Sequence, residues 1–246
     1  MKLDIVMITN GSRALLLLQS MESMIENASQ WKECAFTLVV DDNPSSKDSD
    51  EPIVGPAIPE RIIYQTSQRG ASYCRNVGAG SVPKYRRGKY VLFLDDDVYL
   101  MKDWDSTLLG VADTLPDHHF DEFQKGFIAS LYSHPFNHLD DMTHIDGIHF
   151  GCPQLISTVC MLMPWHVWDT IGPFDEPGGA AGSEDYALCM RAKKEGYGFA
   201  VTDPQLCIHT GLASSNGEKI VGYNELRRQN ENLIRDYKIQ NIRMAL

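Results

Sequence analysis

The sequence predicts an open α/β fold, with a mostly parallel central sheet and helices on both faces. Three features predict it. Apolar runs of strand length alternate with longer stretches of helical periodicity through roughly the first hundred residues. Three of these runs end in polar or acidic clusters, which would line one edge of the sheet for a ligand. A chain of 246 residues with 43% hydrophobic content is enough for one large domain or two closely packed halves.

Leu3-Asp-Ile-Val-Met-Ile-Thr9 reads as the first strand, and Asn10-Gly11-Ser12 as a turn where backbone can approach a ligand. A helix follows over 13–27, with Leu15, Leu18, Met21, Ser23 and Ile25 near one broad apolar face. Residues 36–40 make a second strand that runs into Asp41-Asp42-Asn43-Pro44-Ser45. The stretch 45–59 turns to Ser, Asp, Pro and Gly and reads as a surface loop. A short strand over 62–64 leads into Arg69-Gly-Ala-Ser-Tyr-Cys-Arg75-Asn76-Val-Gly78-Ala-Gly80, whose small residues let a helix pack on the sheet with Arg75 and Asn76 near its start. Next, Lys89-Tyr-Val-Leu-Phe-Leu-Asp95-Asp96-Asp97 stops an apolar run in three carboxylates. Acids at a strand's carboxyl end suit a divalent cation, which takes hard oxygen ligands.

The second half is less regular. A helix is expected over 100–115 with Trp104 and Leu108 inward, and a strand over 125–132. Between 133 and 150, His134, His138, His144 and His149 are scattered among Pro, Asn and Asp, with His118 and His119 upstream; this reads as a polar loop that contacts acceptor rather than a metal site. Residues 151–163 read as an apolar strand and 164–171 as a helix. After Gly172-Pro-Phe-Asp-Glu176, the glycine-rich run 177–183 leads into Glu184-Asp185. Ser183, Glu184 and Asp185 equally suit a helix cap and first turn. A helix over 186–195 presents Leu188, Cys189 and Ala192 inward, and 196–201 leads to a last strand carrying Cys207, Ile208 and His209. The charged stretch 223–239 has helical character. The expected division is 1–100 for a nucleotide-binding half, 101–215 for an acceptor-binding and catalytic half, and 216–246 for a helical tail within one compact domain.

A formal charge of −11 disfavours a broad grip on nucleic acid or an anionic membrane. No apolar run approaches the roughly 18 residues that span a bilayer, and the start Met-Lys-Leu-Asp-Ile-Val puts an acid where a signal peptide would be apolar. A cytoplasmic protein is expected. The six cysteines form no CxxC pair and read as reduced, small apolar residues. Neither GxGxxG nor GxxxxGKS occurs, which removes the dinucleotide and P-loop readings.

Taken in order, the motifs are more specific than any one of them. Val-Met-Ile-Thr-Asn, Val-Val-Asp-Asp-Asn-Pro-Ser, Gly70-Ala-Ser-Tyr-Cys-Arg-Asn-Val-Gly78, Phe-Leu-Asp-Asp-Asp, Ile-Gly-Pro-Phe-Asp-Glu, Glu-Asp-Tyr-Ala-Leu-Cys-Met-Arg-Ala and Ile-His together resemble family 2 glycosyltransferases of the GT-A fold, over residues 5–209. The resemblance implies transfer of a sugar from a nucleotide sugar, UDP-linked by preference, to an acceptor hydroxyl on a glycan, lipid carrier, protein or modified base. It implies that Thr9, Asn10 and Asp42 contact the nucleotide, with Arg75 near the base or diphosphate. Asp95, Asp96 and Asp97 stand where the family carries its DXD motif. Alternation along a strand lets Asp95 and Asp97 share a side while Asp96 turns away. Asp97 is the expected direct ligand of Mn²⁺ or Mg²⁺, with Asp95 on ribose or a metal-bound water and His209 as a further ligand. Imidazole favours manganese over magnesium.

Asp185 is the expected catalytic base, with Glu184 orienting acceptor or loop. That pairing implies an in-line displacement with inversion, with retention as the other outcome. No Gln-x-x-Arg-Trp motif follows His209, so single addition is expected rather than polymer synthesis. Three other readings compete. A metal-dependent nucleotidyltransferase would need a glycine-rich basic loop near its start, where Asn10-Gly-Ser-Arg13 is a poor substitute; a DxDxT phosphatase would need its nucleophile in the first strand, which offers only Asp4. A non-catalytic nucleotide or sugar-binding module would keep the fold without the base.

Overall fold

The computed structural model describes residues 3–10, 14–41, 59–65, 69–114, 127–132, 143–145, 148–151, 156–176, 184–202 and 205–210. Asp42, residues 45–58 of the expected loop, His118, His119, His134, His138, the run 177–183 and the tail 216–246 lie outside the described residues. The elements in chain order are β1 (Leu3–Thr9), α1 (Ala14–Glu26), β2 (Cys34–Asp41), β3 (Arg61–Gln65), α2 (Ala71–Gly80), β4 (Tyr90–Asp95), β5 (Val98–Leu100), α3 (Trp104–Thr114), β6 (Phe127–Ser130), β7 (Thr143–Ile145), β8 (Ile148–Gly151), β9 (Cys160–Pro164), α4 (Trp165–Ile171), α5 (Glu184–Lys194), β10 (Gly198–Thr202) and β11 (Cys207–His209).

Nine strands form one sheet in the order β3-β2-β1-β4-β9-β6-β10-β8-β7. Seven run in one direction, and β8 and β9 run against them. The chain moves outward from β1 to β2 and β3, then returns to place β4 on the other side of β1. A crevice opens where the order reverses, at the carboxyl ends of β1 and β4. Ile8 stands opposite Asp95 there.

Alternation along the central strands builds a core on each face. Leu3, Ile5 and Met7 join Phe36, Leu38, Leu92 and Leu94 under Leu17, Met21 and Met24 of α1 and Trp104 and Leu108 of α3. Val6, Val91 and Phe93 join Ala79 of α2, Trp168 of α4 and Leu188 and Cys189 of α5 on the other face. Gly78 allows the close approach of α2: a Cβ there would lie 2.3 Å from Val6 Cγ1 and 3.1 Å from Val39 Cγ2.

Several expectations need correction. The buried stripe of α1 runs through Leu17, Ser20, Met21, Ser23 and Met24, while Leu18 and Ile25 are half-buried. That spacing is the 3.6-residue period, and Ile25 packs against the margin of the same core. The span 133–150 holds a β7–β8 hairpin with His144 opposite His149, so its histidines conceal two short strands. Of the expected strand over 151–163, Gly151 closes β8, residues 152–155 lie outside the described residues, Thr158 and Val159 form a turn, and the strand itself is β9. The expected last strand is two, β10 in the main sheet and β11 in a separate pair with β5. Helix α3 begins at Trp104 because Val98–Leu100 is spent on β5.

Four of the five described cysteines are buried, and all five are free thiols. Among the described residues no helix is long and apolar enough to cross a membrane.

Candidate active site

Strand parity decides where each of the three acids goes. Asp95 shares the face of Val91 and Phe93 and so points toward α2, while Asp96 falls on the α1 face. The Asp96 carboxylate accepts a 2.6 Å hydrogen bond from Thr9 Oγ1, and both side chains are buried. Thr9 and Asp96 therefore brace the ends of β1 and β4 against each other. Ser20 of α1 holds the turn that follows: its hydroxyl lies within hydrogen-bond distance of the Asp96 and Val98 carbonyls and accepts from Val98 N at 3.0 Å. Ser23 accepts from Leu100 N at 3.1 Å. Two buried hydroxyls thus serve as a partner for one edge of β5.

The other edge of β5 pairs with β11, and the register sets His209 opposite Val98. Thr210 fixes that register, donating from N and Oγ1 to the Asp97 carbonyl at 2.8 and 2.6 Å. His209 Nε2 comes to 3.2 Å from Asp97 Oδ1, and its ring meets the edge of Tyr132 at 5.8 Å between centroids. Ligand atoms of Asp95, Asp97 and His209 all lie within 4.8 Å of one another. The donor set fits a divalent cation. Two carboxylates that repel each other, one of them only 3% exposed, gain from a shared positive charge, and the imidazole suits manganese.

A second group of charges adjoins the first. Arg75 of α2 is 3% exposed; its Nη2 donates to Asp95 Oδ1 at 2.6 Å and its Nη1 to Glu184 Oε1 at 3.3 Å. Burial disfavours its charge, but Asp95, Glu184 and Asp185 outweigh that and raise its pKa. Through these contacts Arg75 ties Asp95 at the end of β4 to the start of α5. Asp185 is buried, and its pKa rises to about 6, first through burial and then through the negative charge of Glu184. Its Oδ1 accepts from Tyr186 N at 2.8 Å, a contact within the first turn of α5.

The chain before Glu184 is clamped from two sides. Asn76 Nδ2 donates to the Phe174 carbonyl and its Oδ1 accepts from Phe174 N, both at 2.9 Å. Arg191 of α5 donates to the carbonyls of Ile171 and Pro173 at 2.7 and 2.6 Å and to Asp175 at 2.7 Å. Phe174 packs against Phe93 in the sheet, with ring centroids 5.1 Å apart. So the Arg-Asn, Gly-Pro-Phe-Asp-Glu and Glu-Asp segments are neighbours in space, and each fixes another.

Sequence reasoning missed the positioning roles of Ser20, Asp41 and Arg191. Asp41 accepts from Arg69 N and Gly70 N at 2.8 Å each and so anchors the start of α2, with Gly70 at a φ of 88°. The signal was available in part, since an acid ending β2 can cap a nearby helix as readily as it binds a ligand. Asn10 follows β1 at the same crevice.

A family model described as Glycosyl transferase family 2 matches residues 4–144. The match ends before Glu184, Asp185 and His209, whose place in the site rests on the geometry above. No curated protein sequence matches the chain. Solved structures share the fold. TarS 1-349 of S. aureus is 17% identical, with 84% of this chain and 60% of that one covered at a TM-score of 0.57. GalNAc-T7, solved with UDP, GalNAc and Mn²⁺, is 11% identical over 82% of this chain and 42% of that one, TM-score 0.58. The mannosyltransferase PcManGT from Pyrobaculum calidifontis, in complex with GDP-Man and Mn²⁺, is 12% identical over 98% and 64%, TM-score 0.57. The chain spans less than two thirds of the length of each of these structures. Since the family match covers more than half of the chain and these likenesses place its fold in the GT-A class, the chain belongs to glycosyl transferase family 2.

Proposed function

We propose that the protein is a metal-dependent glycosyltransferase that moves a sugar from a nucleotide sugar to an acceptor hydroxyl, once per encounter and with inversion. The observation that carries this reading is the gathering of Asp95, Asp97 and His209 within 4.8 Å, joined through the Arg75 ion pairs to the helix that begins Glu184-Asp185. Asp97, Asp95 and His209 would hold Mn²⁺, or Mg²⁺ in its place. Mn²⁺ accompanies a UDP compound in one structural neighbour and a GDP sugar in another, which supports the metal and leaves both bases for test. UDP is the donor nucleotide proposed here. When bound, the cation would offset the negative charge that grows on the leaving diphosphate.

The protein's own groups do the rest. Asp185 takes the proton of the acceptor hydroxyl as that oxygen attacks the anomeric carbon on the face opposite the departing diphosphate. A pKa of about 6 keeps Asp185 ionised at neutral pH yet basic enough to accept a proton. Glu184 orients acceptor, Thr9, Asn10 and Asp42 serve the nucleotide, and Thr9 and Asp96 also brace the strands. Residues 1–100 then serve the donor and 101–215 the acceptor.

A thermal-shift screen of nucleotide sugars, with and without Mn²⁺, tests the class and the donor together. Ligand that binds only the folded state raises its melting temperature, by about 2.7 kcal/mol of stability at a hundredfold excess over Kd. Stabilisation by a UDP sugar only with Mn²⁺ is expected. Absence of any shift across the nucleotide sugars would contradict the reading.

A further inference from the structure

Arg75 is one cation shared between two sites. Asp95, in the candidate metal set, takes Nη2 at 2.6 Å, and Glu184, at the start of the acceptor-side helix, takes Nη1 at 3.3 Å. The third nitrogen, Nε, is buried with no partner among the described residues, and the Phe174 ring lies 5.6 Å from the guanidinium carbon. A guanidinium so enclosed, with one donor unsatisfied, has little hydration to fall back on and depends on its two carboxylates. Its fork spans them as a rigid plane, so a change at one end is felt at the other.

Asp95 cannot give its full charge to Arg75 and to a divalent cation at once. A cation at Asp95 also repels the guanidinium beside it, and that repulsion is strong where water is excluded. We propose that Arg75 is a positioning residue that links cation binding at Asp95 to the placement of Glu184 and Asp185. Loading the donor side shifts the guanidinium's weight toward Glu184, which sets the base for the acceptor. The link deepens the proposed function and rests on its metal site. Linkage is reciprocal, so a change at Glu184 must alter cation affinity although Glu184 is not in the donor set.

The test is Mn²⁺ binding to the full chain, read as loss of the free-ion signal in electron paramagnetic resonance. Glu184→Gln removes the negative charge that draws Arg75 away from Asp95 and should weaken Mn²⁺ binding about fivefold or more. Arg75→Met removes the competing charge while keeping bulk against Phe174; it should tighten Mn²⁺ binding, whereas a merely structural role would loosen it. In the Arg75→Met background, Glu184→Gln should then change nothing. If Arg75→Met fails to fold, Glu184→Gln carries the test, with unchanged thermal unfolding as its control. Equal Mn²⁺ affinity in the native chain and Glu184→Gln would overturn the link and leave the metal site standing. Absence of Mn²⁺ binding by the native chain would contradict the metal site itself, and the link with it.

Discussion

A carboxylate that is 9% exposed and follows directly on Glu184 holds its proton more tightly than an ordinary aspartate. The pKa of Asp185 rises from 3.8 to about 6, and burial is the larger cause. Two consequences follow at the residue scale. Transfer should fall as pH drops through about 6, because protonated Asp185 cannot accept the acceptor's proton; a pH–rate profile of kcat/KM whose acid limb vanishes in Asp185→Asn would bear this out. Stability runs the other way. A carboxyl with a raised pKa in the folded chain favours folding below about pH 3.8, and that contribution is lost as pH rises to about 6. At neutral pH Asp185→Asn should therefore stabilise the protein, by about 1–3 kcal/mol at 1.36 kcal/mol per pKa unit, while transfer falls about 100-fold or more. Urea denaturation and a transfer assay read the two effects separately. A loss of stability in Asp185→Asn would assign the residue to capping α5 instead.

At the scale of elements, the small β5–β11 sheet brings His209 to Asp97 in the candidate metal set, and α1 supports it. Ser20→Ala would leave Val98 N without the hydroxyl that receives it at 3.0 Å, at a cost of about 1–3 kcal/mol for a buried unpaired donor. Equilibrium unfolding should show that loss, and Mn²⁺ affinity should fall with it as the Asp96–Val98 turn relaxes. Gly78→Ala should cost about 1–3 kcal/mol by overpacking, since the added Cβ would sit 2.3 Å from Val6 Cγ1; thermal unfolding measures it. The first four strands of the main sheet and helix α2 were legible in the sequence because their apolar runs end in turn residues and acids. β5, and the pairing of β11 with it, were not. Three residues each, they carry too few side chains for a period, and their pairing joins segments about a hundred positions apart. The histidine-bearing hairpin of β7 and β8 was hidden for a related reason, its polar residues masking a short alternation.

Across the whole molecule, the sheet runs unbroken from the β1 side to the β6 side through the antiparallel β4–β9 pair. The candidate site straddles the two sides. Asp95 ends β4, His209 arrives on β11, and Asp185 opens α5, with Arg75 from α2 at the junction. The acidic strand end was legible as a candidate metal site from residue type and position alone, and Asp95 and Asp97 do lie together with His209. That the Arg-Asn, Gly-Pro-Phe-Asp-Glu and Glu-Asp segments hold one another was not, because Asn76 with Phe174, and Arg191 with Pro173, are contacts of backbone to side chain that leave no pattern along a chain.

The division of labour across the sheet is tested most directly by calorimetric binding of UDP, with and without Mn²⁺, to the native chain, Asp97→Ala and Asp185→Asn. Metal-dependent binding by the native chain and by Asp185→Asn, with none by Asp97→Ala, is the expected result. UDP binding by Asp97→Ala at native affinity, or binding that ignores Mn²⁺ throughout, would contradict it.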